Sequence, residues 1–231
     1  MKKILKLLLV LVVVFVVIIG GLYLLTSIPK TANVDYTQAD LDSYIDKTGI
    51  TFHDNNASAE DILLENYTAS GRLEVEGTIT SEEATAIANE VINEKSFLKN
   101  IQIKFAGDDK VIASATIGSD LSFVYNTFPI ASDYKTVVEA VKGKPLYIET
   151  SLIHEQDNTF FAMMENVNVG LVPMPIDQAN VYGTEVGTIL NRVLNNIPGF
   201  EVESFDIDSA GLHFKGTIPS ETQSLADQVS E

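Results

Sequence analysis

Three stretches of the chain alternate apolar and polar residues with a period of two. Leu73, Val75, Gly77 and Ile79 share one side against Glu74, Glu76 and Thr78; Ile101, Ile103 and Phe105 oppose Gln102 and Lys104; Leu212, Phe214, Gly216 and Ile218 oppose His213, Lys215 and Thr217. One buried and one wetted face is the mark of a strand in an antiparallel sheet. Turn-forming residues then predict three hairpins. Ala106 to Asp109 separate Ile101–Phe105 from Val111–Ile117, Gln156 to Asn158 separate Leu146–Ile153 from Phe160 onward, and Asp208 to Gly211 separate Val202–Ile207 from Leu212–Ile218.

Between these runs the period changes to that of a helix. Ala84, Ile87, Ala88, Val91 and Ile92 follow Thr80 and Glu83, a capping box. Tyr182, Val186, Ile189, Leu190, Val193, Leu194 and Ile197 form a longer stripe ended by Pro198 and Gly199. Shorter helices are expected at Tyr36–Asp46, Tyr134–Val141 and Glu221–Val229. From residue 61 the order reads hairpin then helix four times, so the expected fold class is α+β, with antiparallel hairpins alternating with covering helices. Residues 73–82 (LEVEGTITSE) match 212–221 (LHFKGTIPSE) at six of ten positions. That match favours an internal ββα duplication over two similar strand-to-helix corners.

Phe160 to Met164 break the alternation, being apolar on both faces, before Val167, Val169 and Leu171 resume it against Asn166 and Asn168. Such a strand is either doubly buried between sheet and helix or one wall of a ligand groove, where methionine suits varied apolar partners. In the second case the lining is expected from Phe161, Met163 and Met164, with Val186, Leu190 and Val193 of the long helix facing them. Gly183 and Gly187 make a GxxxG inside that helix, a sign of close packing or of space for an acyl chain.

Leu7 to Leu25 is a run of 19 residues without a polar side chain other than the Tyr23 phenol, close to the roughly 20 a helix needs to span a bilayer. Lys2, Lys3 and Lys6 precede it and only Lys30 follows closely, which places the N-terminus in the cytoplasm and the rest outside. A cleaved signal peptide fits less well: Ala32 lacks a small residue at position 30, and Gly21 lacks one at position 19. The organisation expected is a stub and single-pass anchor at 1–30, a tether and first helix at 31–60, and two αβ halves at 61–143 and 144–231.

Four of the 15 basic groups lie before residue 31 and none of the 32 acidic groups does. The remaining part therefore carries 11 basic against 32 acidic side chains, a charge of −21, and nucleic acid is not an expected partner. No Cys is present, which removes disulfides, thiol catalysis and thiolate metal sites. His154-Glu155 is not continued to an HExxH, because position 158 is Asn158. Asp206 and Asp208 share a strand face, but an EF-hand reading fails at Ala210 and Thr217. No catalytic residue, metal or cofactor is expected.

Residues 166–219 (NVNVGLVPMPIDQANVYGTEVGTILNRVLNNIPGFEVESFDIDSAGLHFKGTIP) resemble the YpmS-like family of uncharacterised bacterial membrane-anchored proteins. Val169-Gly170-Leu171, Pro173 and Pro175, and Ile197-Pro198-Gly199 hold the places of that family's strand end, its approach to a helix and its closing break. The resemblance implies an anchored envelope module. The broader architecture also looks like that of tubular lipid-binding domains, a likeness of fold alone. The expectation is a noncatalytic module binding a lipid or other apolar envelope ligand; the alternative is an acidic scaffold for a membrane-protein partner. An unrecognised hydrolase is the third reading.

Overall fold

Every strand pair is antiparallel, as the alternation predicts, but the order of strands is not that of successive hairpins. The computed structural model describes residues 25–50, 57, 59–91, 96–127, 135–156 and 158–225. The expected membrane span at Leu7–Leu25 lies outside the described residues apart from Leu25. Among the described residues no helix is long and apolar enough to cross a membrane. The chain runs α1 (Gln38–Thr48), α2 (Ala59–Leu63), β1 (Tyr67–Ser70), β2 (Leu73–Ile79), α3 (Ser81–Glu90), β3 (Leu98–Gly107), β4 (Lys110–Ile117), α4 (Ser122–Thr127) and α5 (Lys135–Ala140). It continues through β5 (Pro145–His154), β6 (Phe160–Val169), β7 (Val172–Pro173), α6 (Ile176–Asn196), β8 (Glu201–Asp208), β9 (Gly211–Ile218) and β10 (Glu221–Ser224). Three sheets result, with orders β1-β10, β2-β9-β8 and β3-β4-β5-β6-β7. The fold is α+β. The division expected at residue 143 falls between β4 and β5, which are hydrogen-bonded neighbours in one sheet.

The three predicted hairpins form. In the β3–β4 turn Asp108 and Asp109 both take positive φ, 53° and 59°, the two-residue geometry that matches strand twist. β1 and β2, by contrast, do not pair with each other: β1 pairs with β10 and β2 with β9. The two copies of the sequence repeat are thus direct antiparallel partners. Glu76 lies opposite Lys215, and the repeat alignment equates those same two residues, so a local two-fold axis passes between them. The copies part company at their ends. Where the first has Thr80 and Glu83, the second has Pro219 and Thr222, which cannot form the capping box. The helix expected at Glu221–Val229 is accordingly replaced at Glu221–Ser224 by β10, and residues beyond 225 lie outside the described part.

The free edges of the five-stranded sheet are satisfied by helix side chains. On β3, Thr85 Oγ1 accepts from Ile103 N at 2.9 Å and donates to Ile103 O at 3.1 Å. Asn89 does the same for Ile101, at 3.1 and 2.7 Å, and Ser81 Oγ accepts from Phe105 N at 3.0 Å. Residues 81, 85 and 89 fall on one stripe of α3 because they are four apart. On β6, Asn191 of α6 brackets Phe160 N and O at 2.9 and 2.8 Å, and Asn180 Oδ1 accepts from Met164 N at 3.2 Å.

The segment expected to be a tether is instead a strap on the outer face of this sheet. Ala32 and Val34 are buried, Ala32 N donates to Ser114 Oγ at 3.0 Å, and Asn33 N donates to Gln102 Oε1 at 3.1 Å. The Lys30 ammonium sits 3.8 Å from the centroid of the Tyr147 ring and 3.5 Å from Glu149. Burial, aided by the hydrogen bond to Glu149, pushes the Tyr147 phenol up to about 12.

α1 is tied to α3 through Glu83, which is 3% exposed. Its carboxylate accepts from Lys47 Nζ at 2.7 Å, Ser43 Oγ at 2.6 Å and Thr80 N at 3.0 Å. Burial pushes its pKa up, but these donors prevail and hold it below the ordinary 4.5. A lowered folded-state pKa means stability that is present above the unfolded value and lost as pH falls through the folded one. Urea midpoints should therefore drop on acidification below about pH 4.5, and Glu83→Gln should flatten that acid limb. At the sheet edge, Thr85 is fully buried, and Thr85→Val leaves the amide and carbonyl of half-buried Ile103 without their side-chain partner. It should cost about 1–3 kcal/mol in chemical unfolding.

Candidate functional site: an apolar cavity

α6 meets the sheet through small residues at one end and large ones at the other. A Cβ on Gly183 would lie 2.9 Å from Met164 Cγ, so the GxxxG stretch marks close helix–strand packing there, whereas around Gly187 the space is open. Toward the C-terminus of the helix, Leu190 and Leu194 face the three-stranded sheet instead. Between them lies a cavity of about 290 Å³. Its floor is the apolar face of β2 and β9, including Val75, Ile79, Leu212 and Ile218, and its sides come from Tyr44 and Thr48 of α1 and from Leu152 and Phe160.

Aromatic rings close the remaining wall. Phe160 and Phe205 meet edge to face at 4.9 Å, and Phe200 stacks on Phe214 at 6.4 Å. His154 rests 5.0 Å from the Phe160 ring and 6.1 Å from that of Phe205. The polar contributions are the Tyr44 phenol and the Thr48 hydroxyl, and the latter donates to the Tyr44 carbonyl at 2.8 Å. Burial, reinforced by the nearby Glu83 carboxylate, raises the Tyr44 pKa, so the phenol is neutral across the physiological range. Among the described residues, no carboxylate, imidazole or ammonium lines the space. Its chemistry is exclusion of water and van der Waals contact.

The residues expected as lining are split by the structure. Leu190 lines the cavity, and Met164 is half-buried against Gly183. Val193 is buried at 2% exposure in the packed interface and is not part of the lining. The Val186 side chain lies outside the described residues. Phe161 and Met163 are 51% and 56% exposed, on the opposite face of the sheet, where Phe161 pairs with Ile153 and Met163 with Ser151. The strand is therefore neither doubly buried nor lining on that side; Phe160 is the inward residue. Phe200, Phe205 and Phe214, all within one hairpin and its approach, went unremarked in the sequence as a shared wall, although the apolar phase of Leu212–Ile218 already pointed inward.

A second polar arrangement lies on the open face of β2 and β9. Thr78 Oγ1 is 2.8 Å from His213 Nδ1, and His213 Nε2 is 3.0 Å from Asp208 Oδ2. The order hydroxyl, imidazole, carboxylate matches that of a nucleophilic triad. Its setting does not: His213 and Asp208 are 39% and 52% exposed at their side chains, so no water-excluding environment surrounds the imidazole and carboxylate that would activate the Thr78 hydroxyl. Asp208 chiefly organises the β8–β9 turn, accepting from Ala210 N at 2.7 Å and Gly211 N at 3.2 Å. Those backbone bonds, then His213, hold its carboxyl below the usual range. Among the described residues no group of three or more potential ligands is placed to hold a metal ion.

No family model, no curated protein and no solved structure matches the chain.

The two faces of β6 make opposite demands. Met163→Asp, on the wet face, should change unfolding free energy by less than about 0.5 kcal/mol, whereas Phe160→Ala, from the cavity wall, should cost about 3–5 kcal/mol. Paired urea titrations of the two variants test this assignment.

Proposed function

We propose that the protein is a noncatalytic, membrane-anchored, extracytoplasmic module that holds an apolar ligand, a lipid or lipid-like envelope compound, in the cavity between α6 and the β2-β9-β8 sheet. The observation that carries this reading is the lining itself, about 290 Å³ bounded by leucine, isoleucine, valine and phenylalanine side chains. At a water's liquid share of about 30 Å³, that is room for on the order of ten water-sized groups, the bulk of a medium-length acyl chain. Water entering this space finds few hydrogen-bond partners, so an apolar guest that displaces it gains affinity.

The anchor at Leu7–Leu25 supports the envelope setting, and the resemblance to the YpmS-like family joins it. The resembling segment, 166–219, contributes seven of the thirteen lining residues. A scaffold for a membrane-protein partner is the second reading. Ile153, Phe161 and Met163 favour it, because they form an exposed apolar group on the outer face of an otherwise acidic molecule.

The test is mass spectrometry of organic extracts from a chain beginning at Leu25, exported in a bacterial host and purified without detergent. Starting at Leu25 keeps the strap intact. One lipid per protein is the expected result, and Leu190→Trp, which fills the cavity, should weaken capture by at least tenfold, about 1.4 kcal/mol. A folded, empty protein would turn the assignment toward the scaffold.

A further inference from the structure

The end of the molecule from which the N-terminal segment departs carries a second apolar surface, separate from the cavity. Leu25 is 42% exposed, Ile28 45%, Leu171 44% and Ile176 42%. The backbone brings the first three together, Leu171 N donating to Leu25 O at 2.9 Å and Ile28 N to Leu25 O at 3.4 Å, and Ile176 follows five residues on at the start of α6. The approach is close because Gly170, at φ 61°, has no Cβ; one placed there would lie 2.4 Å from Leu25 O. Lys144 Nζ adds a hydrogen bond to Ser27 Oγ at 2.7 Å. The two segments that form the surface, 25–29 and 167–176, contain no charged residue, although the chain beyond residue 30 has a charge of −21.

We infer that this surface is seated in the outer interface of the lipid bilayer, with Leu171 and Ile176 at the level of the headgroups. The inference rests on the reading of Leu7–Leu25 as a membrane span. If that run crosses the bilayer, Leu25 marks its outer end, and the hydrogen bond from Leu171 leaves no slack to lift the β6–α6 connection away from the lipid. Exposed apolar side chains held there are buried by the interface, and acidic residues, which anionic headgroups would repel, are absent from the two segments. The molecule is then oriented: β5 rises from this end, and the β8–β9 turn is tied through Ile207 and Asp109 to Leu152, seven residues or about 23 Å along the strand from Pro145.

The chain has no Cys, so single labels can be placed cleanly. Full-length Leu171→Cys, Ile176→Cys and, as the distant control, Ser209→Cys are labelled with an environment-sensitive fluorophore. They are reconstituted in vesicles of phosphatidylglycerol and phosphatidylethanolamine, with flotation after alkaline extraction reporting the anchor. The expected result is blue-shifted emission at 171 and 176, quenched by headgroup-level spin-labelled lipid and protected from iodide, with the reverse at 209. Floating protein whose label at 171 is as iodide-accessible as that at 209 overturns the seated surface and leaves the anchor standing. Protein that does not float overturns the anchor and the seated surface together.

Discussion

An unpaired strand edge leaves a row of backbone donors and acceptors that must be matched, and the five-stranded sheet has two such edges. In this fold helices cover them with side-chain amides and hydroxyls in place of further strands. Ser81, Thr85 and Asn89 give α3 one orientation against β3, and Asn180 and Asn191 give α6 one orientation against β6. The cavity follows from the second of these. With Asn191 locked to Phe160, the residues immediately around it on the helix, Leu190 and Leu194, are held facing β2 and β9 and cannot collapse onto the β5–β6 surface. A helix packed by hydrophobic contact alone would be free to slide and close the space.

The rest of the architecture holds the two sheets in register around that arrangement. The β3–β4 turn reaches the smaller sheet through Asp109 N, which donates to Ile207 O at 3.2 Å, and returns to β5 through Leu152 N, which donates to Asp109 O at 2.8 Å. On the opposite side Lys47 joins the Glu83 carboxylate to the Thr78 carbonyl, at 2.7 and 3.0 Å. α1, α3 and β2 are thereby fixed at one corner, and Tyr44 is presented to the cavity as part of the same helix.

Local structure was legible in the sequence wherever its cause was local. The Thr80–Glu83 box starts α3 at Ser81, and Asp108–Asp109 makes the turn that its residues favour. What failed to show were choices made between distant segments. Glu221–Ser224 has helical company in its repeat copy but lacks the capping pair, and the partner that draws it into a strand is Tyr67–Ser70. The inward face of Phe160–Met164 was equally hidden, since apolar residues occupy both phases and an irregularity between the Glu149 and Thr150 pairings shifts the register after Met164. α6 begins at Ile176, ahead of the periodic stripe, because Pro175 supplies its start. The cavity was half visible: Leu190 was named, but its floor lay in strands whose apolar faces look like ordinary core.

The pairing of β2 with β9 also sets an order of events. The two strands are at least 133 positions apart in the chain, and synthesis delivers β2 long before β9 exists. Contacts of such long range are slow to form, although the entropic cost of closing the loop rises only logarithmically with its length. Until the last strands arrive, the apolar side of Leu73–Ile79 and the ring of Tyr44 have no floor opposite them. Because β9 supplies part of the floor, the cavity cannot exist until that late pairing with β2 is made.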